Sequence, residues 1–248
     1  TIGDDEPIGK CKIIPLIMEL FYNENLNAND ESLIFGLEES RHLSKVLRKK
    51  VGEQIHVTNG KGLQWKGIII SNDFRRASLK KTKVTLHQNQ SLPLHIAIAP
   101  TKSNDRLEWF LEKATEIGID EITPIICSRS ERKIIKIERC NRILLSAMKQ
   151  SLKFHKPKLN EGITLKDFLE KDFKGTKYIA HCDDTERIEL KNEKLEKETL
   201  ILIGPEGDFS HAEIEMALKN QYKAVSLGNS RLRTETAGVV AVHTRNIK

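Results

Sequence analysis

From residue 92 onward, short apolar segments of strand length alternate with amphipathic segments of helix length, and this alternation restricts the fold more than any other feature. The predicted strands are residues 94–99, 122–127, 177–181, 200–203 and 224–227. The predicted helices are Asn104–Ile117, which Gly118 ends, residues 139–152, one opened by the capping box Ser210-x-x-Glu213, and residues 234–247. Such alternation predicts an α/β domain with a mostly parallel sheet and helices on both faces.

The part of the chain before this domain has a different pattern. Strand-like runs at residues 33–35, 54–58, 67–70 and 83–86 are separated by polar turns at 59–62 and 71–73. One helix interrupts them, with Ser40 as its predicted cap and Leu43, Val46 and Leu47 as its apolar stripe. Short strands at this spacing predict a small β-barrel.

The polar run at residues 88–91 separates the two patterns, so we predict one domain over residues 18–90 and a second over residues 91–248. The charge-rich residues 183–198 are predicted to form a surface connection within the second domain. Residues 1–17 begin with acidic side chains, unlike a secretory signal peptide. We interpret them as an added leader or an unusual extension before a natural start at Met18.

Hydropathy and cysteine usage exclude several classes of protein. The mean hydropathy of the 248 residues is −0.43, and no apolar run approaches the roughly 20 residues that a membrane span needs, which excludes a membrane-spanning protein. The four cysteines form no C-x-x-C pair and no zinc-finger spacing. Cys127 and Cys182 end apolar runs and are predicted to be buried free thiols, as suits a reducing cytoplasm.

Positive charge is concentrated in one segment. The chain carries a formal charge of +6, but residues 128–158 contain ten Lys or Arg and two Glu, a net charge of +8. The rest of the chain is therefore slightly acidic. Such a segment is typical of a surface for an anionic partner, and equally of a solvated basic helix face.

Two successive predicted strands end in polar loops that contain glycine. The first loop is residues 204–210, Gly-Pro-Glu-Gly-Asp-Phe-Ser, and the second is residues 228–236, Gly-Asn-Ser-Arg-Leu-Arg-Thr-Glu-Thr. Parallel α/β sheets bind ligands at the carboxyl ends of their strands, although a lone G-x-x-G is more often an ordinary turn. An Arg233–Glu235 pair at this edge suits orienting an anion and moving a proton. The alternative is helix capping by Thr234 with a surface ion pair.

Other common catalytic motifs are absent from the sequence. There is no G-x-G-x-x-G after the first strand of this domain, no P-loop, no H-E-x-x-H and no G-x-S-x-G. The eight histidines show no metal-ligand spacing, so we predict no metal site, and we interpret His181 as structural. These absences argue against a Rossmann dinucleotide site, a P-loop NTPase, a zincin and an α/β-hydrolase.

The two loops together resemble the signature of the ribosomal RNA small-subunit methyltransferase E family, which belongs to the SPOUT class of methyltransferases. Further blocks of that family occur in order: His42-x-x-x-Val46-Leu47-Arg48, Lys102-x-x-x-Arg106-x-Glu108, Lys113 to Gly118, Ser128 to Arg132 and Ala147 to Ser151. The resemblance extends from Met18 to the last residue.

The resemblance implies a fold and an activity. It implies an N-terminal PUA-like β-barrel and a C-terminal SPOUT-type α/β domain whose chain forms a trefoil knot. It also implies a cytoplasmic homodimer, with no membrane partner, that methylates N3 of a uridine in small-subunit (16S) ribosomal RNA with S-adenosylmethionine.

The same resemblance assigns roles to residues. Arg233 and Glu235 are the implied catalytic pair. The implied cofactor-binding residues are Ile203, Gly204, Pro205, Gly207, Leu227, Gly228, Leu232, Thr234 and Ala237. The implied RNA-binding residues are Arg48, Lys49, Lys50, Lys102, Arg106, Arg129, Arg132, Lys149, Gln150 and Lys153. Lys149 and Lys153 depart from the family pattern, which has Glu and Arg in this block, so the RNA contact of this block is open.

Three other functions remain as alternatives. A SPOUT methyltransferase with another RNA target would share every feature above. A catalytically silent RNA-binding module would explain the basic segment but not two intact loops. An anion-binding metabolic enzyme would explain the loop at residues 204–210 but would leave the basic segment without a role.

Overall fold

A computed structural model of the chain describes residues 19–89, 92–183, 186–194 and 198–247. The interpretation of residues 1–17 as a leader, and the domain boundary predicted at 90/91, concern residues outside these ranges. Two sheets form the described part, one before and one after the predicted boundary.

The first sheet is mixed and curled. Its strands are β1 (Leu20–Tyr22), β2 (Ser32–Ile34), β3 (Gln54–Thr58), β4 (Leu63–Ser71) and β5 (Ser78–Leu86). Their order is β1-β3-β4-β5-β2, with β1 parallel to β3 and the other pairs antiparallel. Alternate residues point inward, as in Val57 and Trp65, which are fully buried in its core.

The helix predicted to begin at Ser40 differs in the structure. A helical segment α1 (Leu37–Arg41) begins after Gly36 and continues as one π-helical turn, His42–Val46. Ser40 is not a cap: its buried Oγ accepts a hydrogen bond from the amide of Ala77 at 2.9 Å. The wider π turn also breaks the predicted apolar stripe, since Leu43 is buried while Val46 is 65% exposed.

The second sheet is parallel in every pairing among the described residues, which confirms the predicted fold class. Its strands are β6 (Leu94–Ile98), β7 (Glu121–Ile126), β8 (Lys158–Leu159), β9 (Ile163–Thr164), β10 (Thr176–Ala180), β11 (Ile188–Glu189), β12 (Thr199–Ile203) and β13 (Lys223–Ser226). The order is β11-β13-β10-β12-β6-β7-β8, and β9 also pairs with β7.

Helices cover both faces of this sheet. They are α2 (Asn104–Ile117), α3 (Ile137–Gln150), α4 (Leu165–Leu169), α5 (His211–Lys219) and α6 (Thr234–Asn246). α2, α3 and α6 bury Phe110, Leu144 and Val242 on one face, and α4 and α5 bury Phe168 and Ile214 on the other. The predicted bounds of α2 and the predicted capping box of α5 are confirmed.

Two expectations about the segment after β10 are wrong. The described part of residues 183–198 is more than a surface connection, because it contains β11 and a 3₁₀ turn, Leu190–Asn192, whose Leu190 is buried in the core. Cys182 is exposed, since β10 ends at Ala180 and the chain has already left the sheet. Cys127 is buried as expected.

The segment after α3 joins the two sheets. The amide of Gly62 donates to the carbonyl of Phe154 at 2.8 Å, and the Phe154 ring stacks on His87 with centroids 4.2 Å apart. Lys149 and Glu39 form an ion pair of 2.7 Å across the same junction. These contacts hold the first sheet against α3.

No helix in the described ranges is long and apolar enough to span a membrane.

One buried histidine makes stability depend on pH. Burial lowers the pKa of His95 to about 4, and its Nε2 lies 2.8 Å from Thr123 Oγ1. The pKa of this histidine in the unfolded chain is 6.5, so between pH 6.5 and about pH 4 the unfolded chain binds a proton that the folded chain does not. The free energy of unfolding therefore falls as the pH falls through this range. We expect this group to remove up to about 3 kcal/mol of unfolding free energy between neutral pH and pH 4.

Urea unfolding of the wild type and of His95→Gln across this pH range measures the effect. Gln keeps a polar side chain beside Thr123 but does not titrate, so the variant should lose less stability on acidification. Identical pH dependence in the two proteins would contradict the prediction.

Candidate active site

The order of the central strands brings the two glycine-bearing loops together. β10 lies between β12 and β13, so the loops that follow β12 and β13 flank the end of β10. They enclose a cavity with about 650 Å³ of empty space, part of which is open to solvent. The cavity therefore lies at the carboxyl edge of the parallel sheet, where the sequence predicts a ligand site.

Most of the residues that the resemblance assigns to the cofactor line this cavity. They are Ile203, Gly204, Pro205, Leu227, Gly228, Leu232, Thr234 and Ala237. Gly207 is not brought to the cavity: it is exposed, and a Cβ placed on it would point to the side chain of Arg129, 3.4 Å from its Cδ.

Backbone geometry explains two of the glycines. Gly228 has φ 126°, a conformation that other residues rarely adopt, and no atom lies within 4 Å of the position its Cβ would take. A Cβ on Gly204 would lie 3.0 Å from the ring of Phe209, which folds back over the loop. Glycine at these positions lets the backbone border the cavity closely.

Thr234 connects the two loops and does not cap a helix. The N-cap residue of α6 is Arg233, and the Thr234 hydroxyl instead donates to the carbonyl of Gly204 at 3.0 Å. This bond is buried and ties the start of α6 to the loop after β12. The alternative of helix capping by Thr234 is therefore wrong.

The loop after β12 is also held from outside. Arg129 Nη1 donates to the carbonyl of Gly207 at 2.7 Å and to that of Phe209 at 3.3 Å. On the other side, Glu206 Oε1 accepts from the amide of Lys102 at 2.8 Å. Arg129, from the basic segment, and the amide of Lys102 thus hold this loop of the cavity in place.

His181 lies at the base of the cavity, directly after β10. His181 is only 4% exposed, and neither of its ring nitrogens has a hydrogen-bond partner among the described residues. Burial lowers the pKa of His181, an effect only partly opposed by the nearby Asp208 carboxylate, so the ring is neutral at pH 7. An unpaired buried imidazole costs free energy, so a water or ligand that binds beside His181 would stabilise it.

A shallow groove adjoins the cavity and holds the predicted catalytic pair. The cavity and the groove share Arg231 and Leu232. Arg233 and Glu235, from the start of α6, line the groove opposite residues of α2. Among those is Trp109, which is 42% exposed.

The environment of Glu235 differs from that of a surface ion pair. Glu235 is only 6% exposed, and its Oε2 has no hydrogen-bond partner among the described residues. Arg106 lies on the solvent side, with its Nε 3.8 Å from Glu235 Oε1. The carboxylate is therefore held in the wall of the groove, with Oε1 towards Arg106 and Oε2 buried and unpaired.

The residues that the resemblance assigns to RNA do not form one free surface. Lys49 is paired with Glu19 at 3.1 Å, and Lys149 is paired with Glu39. Lys153 donates to the carbonyl of Ile117 at 3.3 Å, and burial lowers the pKa of its ammonium group. These three lysines support the fold.

The remaining assigned residues divide into two groups. Arg132, like Arg129, binds backbone, since its Nη2 donates to the carbonyl of Lys102 at 2.6 Å, and Arg106 faces Glu235. The residues without such backbone contacts are Arg48, Lys50, Gln150 and Lys102, all of them exposed, and Lys102 is also paired with Glu131 at 2.9 Å. Arg129 is exposed as well, in addition to its bonds to the backbone.

The sequence did not indicate several residues of the cavity. They are His181, Cys182, Arg187, Asp208, Ser226 and Arg231. His181 could have been found from its place at the end of a strand, had it been known that this strand lies between the other two. That neighbour relation is a property of the topology and leaves no local signal.

The fold and the site together define an RNA methyltransferase. The family model described as "RNA methyltransferase domain" matches residues 88–246, and that described as "RNA methyltransferase PUA domain" matches residues 36–82. The predicted SPOUT-type α/β domain and PUA-like domain are thereby confirmed.

Individual relatives identify the family of the chain more specifically. A ribosomal RNA small subunit methyltransferase E from Mesomycoplasma hyopneumoniae is 32% identical over 69% of this chain and 76% of its own length. A probable rRNA-methyltransferase from Porphyromonas gingivalis superposes with a TM-score of 0.85 at 38% identity, covering 93% of this chain and 99% of that one. The chain belongs to the ribosomal RNA small subunit methyltransferase E family.

A second similar structure contains a ligand. It is a ribosomal RNA small subunit methyltransferase E from Neisseria gonorrhoeae bound to S-adenosyl methionine, with a TM-score of 0.82 at 27% identity, covering 91% of this chain and 95% of that one.

Proposed function

We propose that this chain transfers a methyl group from S-adenosylmethionine to N3 of a uridine in small-subunit (16S) ribosomal RNA. The observation that carries the proposal is the cavity at the ends of β10, β12 and β13 and its direct connection to the groove that holds Arg233 and Glu235. Family membership supports rRNA methyl transfer, and the ligand of the Neisseria gonorrhoeae relative supports the choice of cofactor.

The residues of the cavity fit such a cofactor. Ile203, Leu227 and Ala237 offer apolar contact to a flat base, and the close backbone at Gly228 offers peptide groups to its edge. The unpaired ring of His181 offers one donor and one acceptor. When bound, S-adenosylmethionine supplies an electrophilic methyl carbon on a sulfonium that needs no acid to activate it.

The chain's own residues would supply the proton chemistry. N3 of uridine carries a weakly acidic proton between two carbonyl groups, and its lone pair must be free to form the new C–N bond. Glu235, whose carboxylate lies in the groove wall, accepts that proton. Arg233 stabilises the negative charge that spreads onto the neighbouring carbonyl oxygen. The S–C bond breaks as the C–N bond forms, and the sulfur leaves neutral.

RNA would approach from the open side of the groove. Lys133, Lys136 and Arg142 are exposed cations of the basic segment, and no described residue pairs with them. With Arg48, Lys50 and Lys102 they provide positive charge for phosphate groups. Trp109 offers an exposed aromatic ring beside the catalytic pair, as suits recognition of an unstacked base.

The assembly and location follow as parts of the same proposal. We propose a cytoplasmic homodimer in which the second copy completes the groove. The exposed Trp109 on α2, which lies at the rim of the groove, supports an interface there. Light scattering during size-exclusion chromatography measures the mass directly.

Two measurements test the activity. Isothermal titration calorimetry with S-adenosylmethionine should show binding at micromolar affinity. Mass spectrometry of 16S rRNA from a deletion strain should then show one 3-methyluridine missing, restored by the cloned gene. Binding with no change in 16S rRNA would favour another RNA target, and no binding, even with RNA present, would favour a silent RNA-binding module.

A further inference from the structure

The proposed chemistry leaves one buried polar group of the cavity without a role. His181 touches neither Arg233 nor Glu235 by any described bond, and its two ring nitrogens remain unpaired at the base of the cavity. Its backbone is engaged, because the carbonyl accepts from Arg187 Nη1 at 2.6 Å. The backbone of His181 is therefore fixed beside the cavity, and its buried side chain lines the cavity with both ring nitrogens unpaired.

We propose that His181 selects the cofactor by hydrogen bonding to its nucleoside part, the adenine or the ribose, and not to its charged amino-acid part. This inference rests on the proposed function, since it assumes that the cavity binds S-adenosylmethionine.

The chemistry of the ring favours a neutral partner. A neutral imidazole presents one N–H donor and one acceptor nitrogen. Adenine edges and ribose hydroxyl groups also present donors and acceptors, so both ring nitrogens can be satisfied by them. An ammonium or carboxylate would be a buried charge beside a neutral ring, which is costly.

The distribution of charge in the cavity agrees with this. The base next to His181 is formed by Ile203 and Val225, which are buried apolar side chains. Among the charged lining residues, Arg231 is exposed, whereas Arg187 is half-buried and Asp208 and Glu206 each accept a hydrogen bond from the chain's own backbone. The charged amino-acid end of the cofactor is better placed near the exposed Arg231, which leaves the nucleoside for the part of the cavity next to His181.

The test uses two ligands and three variants of the full-length protein. The ligands are S-adenosylmethionine and 5′-methylthioadenosine, which keeps the nucleoside and lacks the amino-acid part. His181→Phe keeps a ring of similar shape without polar atoms, and His181→Asn keeps a donor and an acceptor. His211→Phe is the matched control, because His211 is exposed on α5 and lines no part of the cavity.

We expect His181→Phe to raise the Kd for both ligands by about tenfold or more, as loss of a buried hydrogen-bond partner predicts. His181→Asn should recover part of that affinity, and His211→Phe should bind as the wild type does. Without ligand, His181→Phe should unfold at the same temperature as the wild type or a higher one, because it no longer buries unpaired nitrogens.

Three results would overturn the inference. The first is unchanged affinity of folded His181→Phe for 5′-methylthioadenosine. The second is a loss for S-adenosylmethionine alone, which would place His181 at the amino-acid part. The third is a lower unfolding temperature of unliganded His181→Phe, which would give the ring a structural role. Failure of the wild type to bind either ligand would instead refute the proposed function, and the inference with it.

Discussion

Replacing Arg233 with alanine is expected to lower the rate of methyl transfer by about 10²–10³-fold, as removal of one group that stabilises a developing oxyanion does. Arg233 is exposed at the N-terminus of α6, lines the groove and is absent from the cavity. Its loss should therefore reduce kcat while the Kd for S-adenosylmethionine stays within about twofold. Incorporation of a labelled methyl group into 16S rRNA measures the first, and calorimetry the second.

Two controls separate this role from a general loss of positive charge. Lys219→Ala removes an exposed cation at the end of α5 that is not part of the groove lining, and should retain wild-type activity. Arg233→Lys keeps the charge but loses the planar fork of donors, so its activity should lie between those of the wild type and Arg233→Ala. Wild-type turnover in folded Arg233→Ala would remove this residue from the mechanism.

Local patterns were sufficient to predict most elements of the second sheet. Apolar strand-length runs and the stripe of α2 ended by Gly118 are encoded within a few neighbouring residues. The predicted strands reappear with bounds shifted by one residue, and α2 reappears with the predicted bounds. The capping box of α5 is equally local, since Ser210 and Glu213 bond each other's backbone. Such signals survive because tertiary packing agrees with them.

Interactions between distant parts of the chain could not be predicted in this way. Serine is a common N-cap residue, which favoured Ser40 as the helix cap. In the structure the Ser40 hydroxyl instead accepts a hydrogen bond from the amide of Ala77, far along the chain. Arg129 belongs to a basic segment that suits RNA, yet it binds the backbone of Gly207. In both cases the competing partner comes from another element, and only the fold brings it near.

The candidate site shows the same division. The two loops were found from their residues, and β10 was predicted at residues 177–181, but its position between β12 and β13 was not, so His181 was interpreted as structural. The trefoil knot is a property of the whole path of the chain and stays a prediction from the resemblance. The separate roles of the site residues also stay predictions until variants are measured.

Glu235→Gln is expected to lower methyl transfer by about 10²–10⁴-fold, the usual contribution of a general base. The amide has the shape of the carboxylate but cannot accept the proton of uridine N3. Glu235 is 6% exposed and absent from the cavity lining, so binding of S-adenosylmethionine should change little. Single-turnover methylation with saturating cofactor isolates the chemical step.

The dependence of the methylation rate on the acidity of the N3 proton distinguishes a proton acceptor from a residue with a merely structural role. As pH rises, a growing fraction of uridine loses its N3 proton to the solvent. The deficit of Glu235→Gln, meaning the factor by which its methylation rate is below that of the wild type, should therefore narrow. RNA transcribed with 5-fluorouridine, whose N3 proton is more acidic, should narrow it further at constant pH. Arg106→Gln is the matched comparison: it removes the cation 3.8 Å from Glu235 and leaves the carboxylate in place, so it should show no such rescue. A Glu235→Gln deficit that is the same for both substrates and at every pH would assign Glu235 to positioning, and the proton acceptor would have to be another group in the groove.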